Sequence, residues 1–151
     1  MGLDATFYRH LQPITHDSEV DSYLKQCGVL APAAVVEITE SVWDFRKFNG
    51  LERFMKTHKL HRQRLNSHWL ELISTWADRV LDKADELEVD EYARWSVDNN
   101  PLRPMAGFFF GSTDYNSDYF NHLQKLINVC NLMRKDIDDG PALYYTYESS
   151  W

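Results

Sequence analysis

The sequence predicts an α+β fold: a single domain over residues 1–151, with a mixed or antiparallel sheet of about four or five strands packed by three or four helices. Three observations carry this expectation. Residues 3–11, 33–39 and 143–147 are alternating or β-branched runs of strand length, whereas apolar residues recur at three- and four-residue spacing from Ser67 to Leu87 and from Phe120 to Met133. The two long helical patterns are neighbours separated by a polar stretch. A regular doubly wound fold would instead interleave each helix with a strand.

Along the chain, Leu3, Ala5, Phe7 and Arg9 alternate with Asp4, Thr6, Tyr8 and His10, which predicts a first strand ended by Pro13. Ser18 and Asp21 resemble a capping box, Val20, Leu24 and Cys27 form one stripe, and Gly28 stops a short helix. The nearly continuous apolar run 33–39 predicts a second, internal strand. Ser41 is placed to cap a helix over roughly 42–57, with Phe45, Phe48, Leu51 and Met55 as its apolar stripe and Arg46, Asn49 and Arg53 on an adjacent face. Residues 60–65 suggest a short charged edge strand. From Ser67, the series Trp69, Leu72, Ile73, Trp76, Val80, Ala84 and Leu87 predicts the long core helix. Residues 88–104 are polar and acidic and read as a loop with one helical turn around Tyr92 to Trp95. Phe108, Phe109 and Phe110 between Gly107 and Gly111 predict a central strand covered on both faces. A fourth helix follows, with Phe120, Leu123, Ile127, Cys130 and Met133 on one side, and the final strand comes after Gly140-Pro141.

Composition narrows the function classes. A formal charge of −7 argues against direct nucleic-acid binding, which needs a positive field to displace phosphate counterions. The charge is bipolar: residues 44–68 hold seven cations against two acids, a local balance of +5, and residues 82–98 hold seven acids against two cations, a balance of −5. No run approaches the roughly 18 apolar residues of a membrane span, and the start lacks the basic-then-apolar order of a signal peptide. Cys27 and Cys130 stand in no close-spaced motif and read as separate reduced thiols. The expected location is the cytoplasm of a bacterial host cell. His58, His61 and His68 lie among cations and are not expected to bind metal. The chain has no Gly-x-Ser-x-Gly elbow, phosphate-binding glycine loop or cofactor fingerprint, so the reading leans away from an enzyme and assigns no cofactor.

Four stretches carry a resemblance: Met1-Gly2-Leu3-Asp4, Phe45-Arg46-Lys47-Phe48-Asn49, Gly107 to Tyr115, and Tyr147-Glu148-Ser149-Ser150-Trp151. Together they resemble a family of small proteins of unassigned activity encoded by bacteriophages and prophages. The likeness spans the chain and is most specific at Gly-Phe-Phe-Phe-Gly-Ser-Thr-Asp-Tyr. Members usually show Tyr-Trp-Arg-Lys-x-Asn where this chain has residues 44–49, and a His shortly afterwards where it has Leu51-Glu52. A phosphoglycerate kinase label sometimes attached to such proteins is not adopted, because that chemistry needs two domains closing on two substrates. The resemblance implies a phage accessory protein.

Two site expectations follow. One places Ser112, Thr113 and Asp114 between a strand end and a helix start, where backbone N–H groups and hydroxyls can hold a small anionic ligand, with Arg46, Lys47 and Asn49 closing over it. Its plainer alternative is a capped turn, with Arg46 paired to Asp114 or Asp4. The other assigns Glu88, Asp90, Glu91 and Trp95 to an interface with a host or phage protein, since an acidic segment suits a basic surface on a nucleic-acid-handling partner. On these grounds the favoured function is a phage-encoded accessory protein acting by binding, as an inhibitor of a host defence or nucleic-acid-handling protein. The alternative is a small-ligand or nucleotide-binding protein, with scope for catalysis, centred on Arg46, Asn49, Ser112 and Thr113.

Overall fold

In the computed structural model, which describes residues 2–11, 26, 38–107 and 111–150, the N-terminal alternation becomes strand β1 (Asp4–Leu11), with Ala5 and Phe7 buried and Asp4 exposed. Strand β2 (Ile38–Arg46) pairs with it antiparallel from Asp4↔Arg46 to Leu11↔Ile38. A shift between Phe7 and Tyr8 leaves Val42 as the extra residue of a β-bulge. Strand β3 (Ala142–Ser150) lies antiparallel on the other side, from Asp4↔Ser150 to Leu11↔Ala142. The sheet order is β2-β1-β3. Among the described residues the sheet is therefore antiparallel and three-stranded, not four- or five-stranded, and its middle strand is the N-terminal one.

Four helices complete the described α+β fold: α1 (Asn49–Thr57), α2 (Ser67–Glu86), α3 (Val89–Asn99) and α4 (Ser117–Asp138). Helices α2 and α4 start where Asn66 and Asn116 accept the Trp69 and Tyr119 backbone N–H groups, each at 3.1 Å. They pack lengthwise on each other, and Ile73, Ala77 and Val80 of α2 and Leu126, Cys130 and Met133 of α4 are buried. On the buried face of the sheet, the Phe7 ring of β1 lies 6.1 Å from Phe45 of β2 and 5.4 Å from Tyr147 of β3, both edge-on. Cys130 is a free thiol, and burial pushes its pKa up to about 12.

Three further expectations change. The helix expected over 42–57 begins only at Asn49: Ser41 to Arg46 are strand, and Lys47 at φ 58° turns the chain. Phe45, Phe48, Leu51 and Met55 are all buried, yet the first two reach the core from a strand end and a turn. Arg46, Asn49 and Arg53 therefore do not share one helix face. The edge strand at 60–65 is two isolated bridges to β3, His61↔Tyr147 and Leu65↔Tyr145, because Lys59 (φ 55°) and Arg62 (φ 57°) break the extended geometry. The loop expected over 88–104 contains α3, whose Glu88 backbone N–H is accepted by Glu91 Oε2 at 3.3 Å. Most of the helix at 18–28, most of the strand at 33–39 and the Phe strand at 108–110 lie outside the described residues, and the flanking Gly107 and Gly111 are exposed and outside regular structure.

A polar clamp locks α4 to the sheet. Arg9 Nε and Nη2 each donate to one Asp136 oxygen at 2.7 Å, and the Tyr145 hydroxyl donates to the same carboxylate at 2.5 Å. Burial alone raises the Asp136 carboxyl, but the Arg9 bonds, the Tyr145 bond and the Arg9 charge outweigh it and hold the group below its ordinary value. A depressed folded value means the stabilisation is complete above the unfolded aspartate pKa of about 3.9 and is lost as pH falls through the lower folded value. The difference in unfolding free energy between wild type and Asp136→Asn should accordingly be constant near neutrality and shrink in urea melts below about pH 4.

Candidate functional site

Described residues from each of the four stretches singled out above meet at one end of the sheet. Asp4 pairs with Arg46 on one side and Ser150 on the other, the Lys47 N–H donates to the Leu3 carbonyl at 2.6 Å, and the Asn49 side-chain amide donates to the Ser112 carbonyl at 2.9 Å. Beside this junction is a cavity of about 500 Å³.

One wall is the corner from β2 into α1: Arg46, Lys47, Phe48 and Asn49 all face the cavity. The corner depends on glycines. A Cβ on Gly111, which has φ 86°, would sit 3.2 Å from Lys47 Cβ, and one on Gly2 would sit 3.1 Å from Lys47 Cε, so the lysine stem threads between two residues without side chains. Arg46 is largely exposed and pairs with Asp4 at 3.7 Å, a weak surface ion pair that leaves most of its guanidinium donors open to a ligand.

The opposite wall is the turn before α4 and the first turn of that helix, carrying Ser112, Asp114, Asn116 and Asp118. Ser112 Oγ donates to Asp114 Oδ2 at 2.9 Å and accepts the Asp114 N–H at 3.0 Å, which shapes the turn from within. The helix itself starts at Ser117 with Asn116 as its cap, so Ser112 and Thr113 precede the helix N-terminus rather than forming it. Thr113 is exposed and does not line the cavity.

The floor is aromatic. His122 lies 4.9 Å from Phe48 with ring planes 14° apart, and Tyr119 meets Phe48 edge-on at 6.3 Å. Burial, with the Lys125 charge, lowers the His122 pKa against the opposing effect of Asp118, so the ring is neutral at pH 7 and offers one donor and one acceptor. The Tyr119 hydroxyl points away into a buried network, donating to the Leu102 carbonyl at 3.0 Å and accepting from Asn100 Nδ2 at 2.9 Å. Burial pushes its pKa well above the usual tyrosine value, so it stays protonated.

The structure thus brings together Arg46, Lys47, Asn49, Ser112 and Asp114 and leaves out Thr113. Phe48, Asn116, Asp118, Tyr119 and His122 complete the lining and were missed as site residues. The available signal was that 118, 119 and 122 fall on adjoining positions of α4. The acidic group does not join the cavity: Glu88, Asp90 and Glu91 are exposed at the start of α3, and Trp95 is half-buried with its ring 5.7 Å from Tyr92. His58 packs against Phe54 and Trp69, His61 against Glu52 and Tyr147, and no group of three His, Cys, Asp or Glu among the described residues is placed to hold a metal. No described helix is long and apolar enough to cross a membrane. Comparison with protein-family models, curated proteins and solved structures found no match.

Proposed function

We propose that the protein acts by binding, and that its ligand is a small polar molecule held in the cavity between the β2–α1 corner and the turn before α4. Cations on one wall and carboxylates on the other suit a molecule with an anionic group for Arg46 and Lys47 and hydrogen-bond donors for Asp114 and Asp118. Nucleotides combine the two, with phosphate at one end and sugar hydroxyls or base amino groups at the other. The observation that carries this reading is the Asn49–Ser112 hydrogen bond, which joins two segments 63 residues apart into the two walls of one cavity. A nucleotide at about 100 times its dissociation constant should add about 2.7 kcal/mol to wild-type stability. That is a rise in melting temperature of roughly 5–10 °C for a chain of this size. Arg46→Ala should lose most of this rise while melting like wild type without ligand, since Arg46 is exposed and weakly paired. A nucleotide panel that shifts both proteins equally, or neither, removes the reading.

A second reading is a phage-encoded accessory protein that inhibits a host protein, and the outer face of α3 favours it. Val89 and Val97 are 74% and 58% exposed, eight residues apart and so on one face, and Asp90, Glu91 and Asp98 stand beside them. Because Glu88 and Glu91 also serve the helix start, Asp90→Lys with Asp98→Lys is the cleaner charge reversal. It should weaken capture of a basic partner from infected cells, more steeply as salt falls; undiminished capture of the same partner speaks against this face.

A further inference from the structure

A second cavity, of about 290 Å³, lies at the other end of α1, between its last turn and the segment that follows α3. Its lining includes Arg53, Thr57, Trp76, Asn99, Asn100 and Arg103. The two arginines are its unusual feature. Both are partly buried, and neither forms an ion pair among the described residues, although this acidic chain offers many carboxylates for exposed cations. Arg103 Nη1 donates to the Val97 carbonyl at 2.6 Å, which accounts for one of its five N–H donors and fits a cation at a helix C-terminus. Arg53 makes no comparable bond among the described residues. Burial, then the charge of Arg103, lower its pKa against the opposing influence of Tyr115, so the two guanidinium groups repel each other inside a partly desolvated pocket.

Two partly buried cations lining one cavity repel each other and contribute nothing to stability. An anion between them reverses the sign of the interaction, and the fork geometry of guanidinium matches tetrahedral oxyanions through paired hydrogen bonds. Thr57 and the Asn99 side chain add neutral polar groups, and the half-buried Trp76 provides a flat apolar wall. Asp98 also borders the cavity, but it is exposed and therefore screened by solvent.

We infer that this cavity is a binding site for a phosphate group, held between Arg53 and Arg103, with room along Trp76 for the organic part of a small phosphomonoester. The site is distinct from the one proposed above: Arg46 and Lys47 do not line it, and Asn100 of its lining bonds to Tyr119 of the first cavity's lining. Its ligand need not be the ligand of the first site.

Thermal melts of the full chain with inorganic phosphate and with glycerol phosphate, against sodium chloride at matched ionic strength, test the site. Wild type should gain melting temperature with rising phosphate beyond the chloride control, and acetate should do less. Arg53→Gln without ligand should melt at or slightly above wild type, because it removes a repulsion, and should lose the phosphate response at least tenfold in apparent affinity. Arg46→Ala should keep the part of the response that Arg53→Gln removes. The inference is overturned if phosphate and chloride act alike on wild type, if Arg53→Gln responds as wild type does, or if the response disappears with Arg46 instead. Failure of nucleotides at the first cavity leaves these outcomes untouched, so the two proposals fail separately.

Discussion

Replacing Glu52 by alanine is expected to lower the unfolding free energy by about 3–5 kcal/mol, from the cavity left by a fully buried side chain and the buried hydroxyl left without its acceptor. Glu52 is fully buried, 0% exposed, in the first turn of α1. The Tyr147 hydroxyl donates to its Oε2 at 2.8 Å, while Oε1 lies 3.4 Å from Lys56 Nζ and 3.2 Å from His61 Nε2. Alanine would leave the buried Tyr147 hydroxyl without this acceptor and a hole against the sheet. Around this acid residues 61–62 lie against β3: the His61 ring meets the Tyr147 ring edge-on at 5.1 Å, and the Arg62 N–H donates to the Tyr147 carbonyl at 2.9 Å. Tyr147→Phe keeps the packing and removes only the hydroxyl, so it should cost about 1.5–3 kcal/mol, the value of a hydrogen bond to a charged group. Urea melts of the two variants should therefore rank Glu52→Ala below Tyr147→Phe, and equal losses would mean that the Lys56 and His61 contacts contribute nothing.

Gly50→Ala is expected to destabilise the fold by about 3 kcal/mol or more, at the upper end of overpacking effects. Helix propensity alone points the other way, favouring alanine by about 1 kcal/mol at a helical glycine. The sign is therefore informative. A Cβ at Gly50 would lie 2.2 Å from the Leu102 carbonyl oxygen and 3.3 Å from Phe48 Cε2. The carbonyl is held in place: it accepts the Tyr119 hydroxyl, and the Leu102 N–H donates to Asn100 Oδ1 at 2.9 Å. To make room, α1 must move off the 100–103 segment, which opens the cavities at both of its ends. Calorimetry should show a drop of roughly 6–12 °C in melting temperature, and a neutral or stabilising result would mean that this contact is looser than described.

What could be read from the sequence followed how directly each element buries apolar side chains. Helices α2 and α4 were legible because their inner faces are Ile, Leu, Val and Met at helical spacing, and β1 because Ala5 and Phe7 alternate with polar residues. Helix α3 was not, because its inner face turns Ser96 inward to accept from Asn100 at 2.8 Å and Tyr115 at 2.6 Å, and a buried serine leaves no mark in an apolar pattern. Residues 42–48 were misread for the opposite reason: Phe45 and Phe48 extend the apolar series of α1, and only the positive φ at Lys47 separates strand from helix. The residues of the first cavity could be chosen by type and turn chemistry, but their meeting depends on Gly2 and Gly111 passing the Lys47 stem. Nothing in the sequence sets His122 apart from its helix neighbours, and the meeting of Arg53 with Arg103 exists only in space.

Amide chemical-shift mapping would show whether a nucleotide occupies the first cavity. On titration with a nucleoside monophosphate, the cavity model predicts saturable shifts concentrated at Lys47, Asn49, Ser112, Asp114 and His122, and their loss in Arg46→Ala. Shifts confined to Thr57 and Asn99 to Arg103 would move the nucleotide to the second cavity, and a spectrum unchanged across the nucleotide panel would contradict a nucleotide site at the first.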